Sequence, residues 1–227
     1  MTGIAERLAR VRASIATACD RCGRDPRDVA LLAVSKLQPP DAVRAAIAAG
    51  QFEFGENRVQ ELVAKADALA KDSARWHMIG SVQTNKAEAL VAVPGLALVH
   101  SIDRERLVTR LAEACAASGR TLDVLVQVNA TGEGSKHGTP LAELEAVARM
   151  VVASGVLVLR GTMAMGPLAG DAVPVFHSVA RAHAELRQRL GLALPILSLG
   201  MSGDLDAAIS AGSTLVRVGT AIFEERH

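Results

Sequence analysis

The sequence predicts an α/β protein folded as a single (β/α)8 TIM-like barrel with one extra N-terminal helix. Eight strand-like segments alternate with helix-like segments along the chain. Its 227 residues suit one barrel domain. The first strand-like segment, Ala30-Leu31-Leu32-Ala33-Val34, is apolar without alternation, as in strands covered on both faces. The expected organisation is one domain over 1–227, with the extra helix in 1–25 and the barrel in 29–227. The alternative is an open doubly wound sheet, but Ser35-Lys36-Leu37-Gln38-Pro39 after the first strand lacks the glycines of a dinucleotide fingerprint.

Residues 3–22 have helical composition, with Ile4, Leu8, Val11 and Ile15 forming one apolar stripe and Gly23 and Pro26 ending it. After the first strand, Asp41–Ala49 predicts a helix stopped by Gly50. Phe52–Gly55 is a strand, Glu56–Ala70 a helix, Trp76–Gly80 a strand and Asn85–Leu90 a short helix. Leu96–Ile102 is the fourth strand, followed by a helix to Ala117 capped by Asp103 and closed by Gly119. Leu122–Asn129 is the fifth strand; a glycine-rich loop leads to a helix expected to start at Thr139-Pro140. Val156–Met163, Pro195–Leu199 and Thr214–Val218 are the last three strands, with helices over Pro174–Leu190 and Gly203–Ser210 between them.

Half of the residues are hydrophobic, yet only four Phe and one Trp are aromatic, so Ala, Val, Leu and Ile must build the core. A net charge of +1 with interspersed signs gives no footprint for nucleic acid. No apolar run approaches the roughly 18 residues of a membrane span, and the N-terminus lacks a signal-peptide core. The expectation is a soluble, cytoplasmic protein with no membrane and no nucleic-acid partner. Three cysteines are no disulfide framework, and Cys19-x-x-Cys22 has neither a second ligand pair nor a redox context; helix packing explains it better, and no metal is expected.

In a barrel all strand ends open on one face. That face would collect Lys36, Gly55-Glu56-Asn57, Ser81–Asn85, His100-Ser101, Asn129, Met163–Met165, Gly200-Met201-Ser202 and Arg217–Thr220. Barrels often bind phosphate with the loops after strands seven and eight. Here those loops carry Gly200-Met201-Ser202-Gly203, with Ser202 expected to cap a short helix, and Arg217-Val218-Gly219-Thr220. Read alone, these are ordinary caps and a surface arginine, and Lys36 a solvated strand exit. Together they suggest an anion site facing a lysine. A lysine kept partly neutral by burial forms a Schiff base with an aldehyde. A phosphorylated aldehyde held at both ends would be pyridoxal 5′-phosphate (PLP) or a sugar phosphate.

Seven segments resemble the YggS/PROSC family, the pyridoxal phosphate homeostasis proteins, in that family's order. They are Leu31–Lys36; Phe54–Asn57 with Val59-Gln60-Glu61; Trp76–Gly80 with Gln83–Lys86; His100–Asp103; Gln127–Asn129; Leu199–Ser202; and Val216–Thr220. The resemblance implies a single barrel like the N-terminal domain of alanine racemase, binding PLP as an internal aldimine without established turnover. By matching position it implies Lys36 as the Schiff-base lysine. Ser202, Arg217, Gly219 and Thr220 would hold the phosphate, with Gly200 and Met201 as close backbone. Asn57 would lie beside the cofactor, and His77 and Met163 would line the cavity; His77 alone also reads as a satisfied core histidine. The chain departs from the family at Leu37-Gln38-Pro39, where many relatives have Thr-Lys-Pro. It departs again at His137 in the Gly132–Gly138 loop with its Lys136, which reads equally as a solvated loop or a gate, and at Glu224, where glycine often follows the phenylalanine.

The expected function is thus binding and carriage of PLP for vitamin B6 homeostasis, with the cofactor as a Schiff base on Lys36 and no efficient turnover. The alternative is a PLP-dependent amino-acid racemase or another PLP enzyme, with a sugar-phosphate aldolase as a third class. A two-base racemase needs a second acid–base group, a tyrosine in alanine racemases, and this sequence has no tyrosine. Expected partners are PLP, other B6 vitamers and, transiently, PLP-dependent apo-enzymes; the barrel is expected to be a monomer.

Overall fold

Alternating apolar segments produce a closed parallel barrel because each strand can then hydrogen-bond on both edges while helices cover its outer face. The computed structural model describes residues 3–131 and 137–223. Its strands are β1 (Ala30–Val34), β2 (Glu53–Glu56), β3 (Arg75–Met78), β4 (Leu96–Ile102), β5 (Leu122–Asn129), the two-residue β6 (Thr139–Pro140), β7 (Leu157–Ala164), β8 (Ile196–Ser198) and β9 (Leu215–Val218). The order β4-β3-β2-β1-β9-β8-β7-β5 is closed by pairing of β4 with β5, through Val99 opposite Val124 and Ile102 opposite Val126. All eight expected strands form the barrel, and β6 is added to the end of β5. The open-sheet alternative is thereby corrected.

The helices are α1 (Ile4–Arg21), α2 (Pro40–Ala48), α3 (Val59–Ala68), α4 (Ala87–Val91), α5 (Glu105–Ser118), α6 (Leu144–Ala153), α7 (Val173–Leu190) and α8 (Leu205–Ser210). In the extra helix α1, Leu8, Val11 and Ile15 are buried, joined by Ala18 and Cys19. It packs outside the barrel against α2 and α8. Arg12 donates to the carbonyls of Ala49 and Gly50 beyond α2, Arg24 to those of Ile209 and Ser213, and Arg7 to that of Ile222. The helix therefore fastens together the two ends of the barrel's strand sequence.

Several local expectations are corrected. Glu56 ends β2 rather than opening a helix, because its side chain is needed in the layer between β2 and α3. Thr139-Pro140 pairs with β5 instead of starting a helix, and α6 begins at Leu144 after a 3-10 turn. Asp103 does not cap α5; Arg104 holds that position, and the Asp103 carboxylate pairs with the Arg104 guanidinium. Of the two α1 cysteines only Cys19 is packed; Cys22 is exposed and its thiol donates to helix carbonyls. No cluster of metal-ligating side chains occurs among the described residues. None of their helices is long and apolar enough to cross a membrane.

Two cores result. Between sheet and helices lies an aliphatic shell with Phe54 against Trp76, ring centroids 5.8 Å apart. Inside the barrel the apolar cluster is small, built on Leu98, Leu125 and Met163. Beside it the interior holds polar side chains, with His77, His100, Ser198 and Arg217 all buried. Gly161 shows how tight the β7–β8 contact is: a Cβ there would sit 1.7 Å from the Ile196 carbonyl oxygen.

Buried imidazoles make stability depend on pH. His183 on α7 meets the Thr162 hydroxyl of β7 at 3.0 Å. Burial pushes its imidazole down to about 4, against a backbone contact to Leu194 and aided by the Arg187 charge. Burial pushes His100 down as well, with His77 and Arg217 adding to the effect. An unfolded histidine titrates near 6.5, so the unfolded chain binds more protons between that pH and 4. The His183 contribution is complete above about pH 6.5 and is lost as pH falls toward 4, amounting to about 3 kcal/mol. Urea unfolding midpoints measured from pH 7 to pH 4 should fall accordingly, and His183→Gln should shorten that acid-side fall.

Candidate functional site

Strand alternation puts Leu32, Val34 and then Lys36 on the inner face of β1, while Ala33 and Ser35 turn outward. The chain then turns sharply: Leu37 is left-handed at φ 62°, and Gln38 N–H donates back to Ser35 O at 3.0 Å. A branched residue held at positive φ marks backbone strain immediately beside Lys36.

A buried ionic strut holds this turn. Ser35 Oγ donates to Glu56 Oε1 at 2.6 Å, and Lys65 Nζ on α3 donates to Glu56 Oε1 at 2.7 Å, to Ser35 O at 2.6 Å and to Glu61 Oε1 at 2.9 Å. Glu61 also accepts from Leu37 N–H. Burial pushes the Glu56 carboxyl up, opposed by the Lys65 charge and by the Lys65 and Ser35 hydrogen bonds; its Oε2 has no partner. The sequence reading missed Ser35, Glu61 and Lys65 and named Glu56 only by position. Glu61 and Lys65 stand four apart, a legible helical pair, but the same spacing serves exposed pairs whose only partner is water.

At the strand ends a cavity of about 300 Å³ is lined by Val34, Lys36, Asn57, Ile79, Met163, Met165, Met201, Ser202, Gly203, Arg217, Gly219 and Thr220. Eight of the ten expected site residues line it together; Gly200 and His77 do not. Gly200 lies behind the wall at φ +91°, with a Cβ there only 2.4 Å from Ala208 Cβ, so the close packing of the seventh-strand loop on α8 requires glycine. His77 is corrected more strongly: it lines a depression with Glu53, Arg75 and Asp123 that contains none of the mouth residues. There it is a core histidine with both ring nitrogens engaged, at 2.7 Å from Glu53 Oε2 and 2.9 Å from His100 Nε2. His100 and Ser101, also expected at the mouth, are buried within β4.

Three further expectations change at the mouth. Lys36 is exposed rather than buried. Ser202 caps nothing: α8 starts at Leu205, its N-cap is Asp204, and Asp204 Oδ1 accepts from Met201 N–H at 2.5 Å. Arg217 is no surface arginine, having only 4 % of its area exposed. Its Nη1 donates to Ser198 O at 2.9 Å and Ser198 Oγ at 2.7 Å, and its Nη2 to Ala164 O at 3.0 Å. Burial lowers the guanidinium to about 10, opposed by Asp204, so it stays cationic at neutral pH. Lys136 and Glu224 fall outside the described residues, as does most of the Gly132–Gly138 loop.

Among the described residues the lining offers an amine, an amide, two hydroxyls and a guanidinium, and no carboxylate. Val34, Ile79, Met163 and Met165 add an apolar wall. Such a set suits an anionic group joined to a flat apolar body. Asn57 is set tightly: a Cβ on Gly80 would come within 2.1 Å of Asn57 O and 2.4 Å of its Oδ1.

Removing one partner of the strut tests its part in holding the Lys36 turn. Lys65→Met should cost about 3 kcal/mol in chemical denaturation by leaving a buried carboxylate alone, and the double variant Lys65→Met/Glu56→Leu should recover most of it.

Residues 7–227 match the family described as "Alanine racemase, N-terminal domain". The chain is 46% identical to the pyridoxal phosphate homeostasis protein of Escherichia coli K12, over all of this chain and 98% of that protein. It is 44% identical to the protein of the same name from Pseudomonas aeruginosa, over all of this chain and 97% of the relative. Among solved structures it is similar to PipY of Synechococcus elongatus with PLP bound, at 36% identity and a TM-score of 0.84, covering 97% of this chain and 99% of PipY. Alanine racemase of Corynebacterium glutamicum shares the fold at 17% identity and a TM-score of 0.69, with 94% of this chain on 60% of the racemase. The match over residues 7–227 and the full-length identity place the chain in the alanine racemase N-terminal domain family and, within it, among the pyridoxal phosphate homeostasis proteins.

Proposed function

We propose that this chain binds PLP in the mouth cavity and serves its intracellular homeostasis as a carrier, with Lys36 as the covalent anchor. The carrying observation is the cavity itself, with one lysine at the end of β1 sharing its walls with an all-donor set from the loops after β8 and β9. When bound, PLP supplies an aldehyde that a neutral amine attacks, with loss of its oxygen as water.

The chain's own groups divide the work. Lys36 Nζ brings the nucleophile, and the strut beneath Ser35 keeps its turn from drifting. The hydroxyls of Ser202 and Thr220 donate to phosphate oxygens, and Gly203 and Gly219 keep side chains out of their way. Arg217 presents a fixed positive charge from the cavity wall, its direction set by Ser198 and Ala164. Met163 and the other apolar wall residues would shield a bound ring from water, and Asn57 would border it.

A carrier reading is favoured over an enzyme because, among the described residues, the cavity lining holds one amine and no second acid–base group able to take a proton at neutral pH from an opposite face. Transfer to PLP-dependent apo-enzymes is the use such a carrier would have.

Purified protein with PLP should absorb near the visible edge and Lys36→Ala should not; a wild-type spectrum identical to that of the variant would refute the assignment. Borohydride trapping followed by mass measurement should place a PLP-sized adduct on the Lys36 peptide, against a sugar phosphate. Amino-acid racemisation at ordinary enzymatic rates would overturn the carrier reading.

A further inference from the structure

A continuous polar chain crosses the barrel interior, from the depression lined by Glu53 and Arg75 to the cavity at the mouth. Glu53 Oε2 lies 2.7 Å from His77 Nε2, and His77 Nδ1 lies 2.9 Å from His100 Nε2. His100 Nδ1 is 3.3 Å from Ser198 Oγ, which accepts from Arg217 Nη1 at 2.7 Å. Four strands, β2, β3, β4 and β8, each contribute one member before the chain reaches Arg217 on β9.

The two ends set its direction. A guanidinium only donates and an ionised carboxylate only accepts. Burial opposes ionisation of Glu53, but the hydrogen bond from His77 and the adjacent Arg75 charge hold the carboxyl below its usual range. Ser198 Oγ therefore accepts from Arg217 and gives its own proton to His100 Nδ1. His100 then carries its proton on Nε2 and donates to His77 Nδ1, and His77 Nε2–H donates to Glu53. Every donor meets an acceptor with both imidazoles neutral. The reverse direction would set His77 Nε2 and Glu53 Oε2 as two acceptors 2.7 Å apart unless His77 were an imidazolium. It would also leave the Ser198 hydroxyl between two donors. Other charged groups at the lower end are Arg75 and Asp123, the latter paired with Arg160, and at the upper end Asp204 acts on Arg217.

We propose that Glu53, His77, His100 and Ser198 form a one-way hydrogen-bonded chain that orients the Arg217 guanidinium at the cofactor cavity. The histidines are then positioning residues for a cofactor that neither touches. The proposal rests on the mouth cavity being the PLP site. It explains why two histidines occupy a barrel interior whose apolar cluster is otherwise Leu98, Leu125 and Met163.

The direction is measurable without cofactor. Long-range nitrogen–proton correlation spectra of the ¹⁵N-histidine-labelled protein at neutral pH should show His77 and His100 both neutral and both protonated on Nε2; His100 protonated on Nδ1 would overturn the proposal. The effect on Arg217 is read from PLP dissociation constants and the visible-edge band of purified variants. His77→Leu interrupts the chain and should weaken PLP binding about tenfold and shift the band. His77→Gln can accept and donate in the same order and should bind within about twofold of wild type. Glu53→Ala, at the open end of the chain, provides a second interruption should His77→Leu fail to fold, and should act in the same direction. If the interrupted variants keep wild-type affinity and band, the chain does not act on Arg217 and the proposal falls while PLP binding stands. If wild-type protein shows no Lys36-dependent band, the cofactor assignment falls and the assignment of Arg217 to it falls too, while the spectra still report the chain's direction.

Discussion

Closure of the parallel sheet is the constraint on which everything else in this structure depends. A parallel strand left at an edge would expose a row of unpaired backbone groups, and pairing β4 with β5 removes both edges at once. Closure also brings the end of β1 onto one rim with the ends of β8 and β9, which come some 160 to 180 positions later in sequence. The tight contacts at Gly161 and Gly200 are local to the β7–β8 pair and to the packing of α8, where backbone or helix approaches too closely for a side chain.

The barrel divides its polar groups into two systems with separate tasks. Outside the sheet, Ser35, Glu56, Lys65 and Glu61 tie the β1 turn to α3. Inside it, Glu53, His77, His100 and Ser198 lead to Arg217. Alternation along β2 explains how neighbouring glutamates serve both: Glu53 faces inward and Glu56 outward across the helix layer. Buried ionic groups of this kind add little net stability over a well-packed apolar substitute. Their contribution here is orientation, fixing a lysine turn after β1 and a guanidinium on the neighbouring β9. The acid sensitivity expected from His183 and His100 has the same origin, in imidazoles placed where charge is expelled.

Much of the site was legible because barrel topology converts strand order into position. Lys36, Ser202, Arg217, Gly219 and Thr220 could be gathered from the residues that follow predicted strands. His77 could not be placed this way, because it lies within β3 rather than in the loop after it, and its ring joins the buried interior and the lower depression. Ser202 and Asp103 were misread as caps because capping residues signal a helix start without saying which of two or three adjacent residues begins it. Thr139-Pro140 carries a helix-start signal that pairing to the end of β5 overrode.

The sequence by itself determined the alternation of strands and helices, the barrel that follows from it, the family and the rim that Lys36 shares with the β8 and β9 loops. Periodicity and strand order are local or ordinal properties, and both survive in one dimension. Only the tertiary structure decided which polar side chains were buried, with whom, and in which direction they donate. Burial of Arg217 reverses what its residue type suggests, and exposure of Lys36 reverses the burial expected of a Schiff-base lysine, because strand register and the strained turn at Leu37 set their depth. The chain from Glu53 to Arg217 spans five strands, and no spacing in the sequence records a contact made across the middle of a closed barrel.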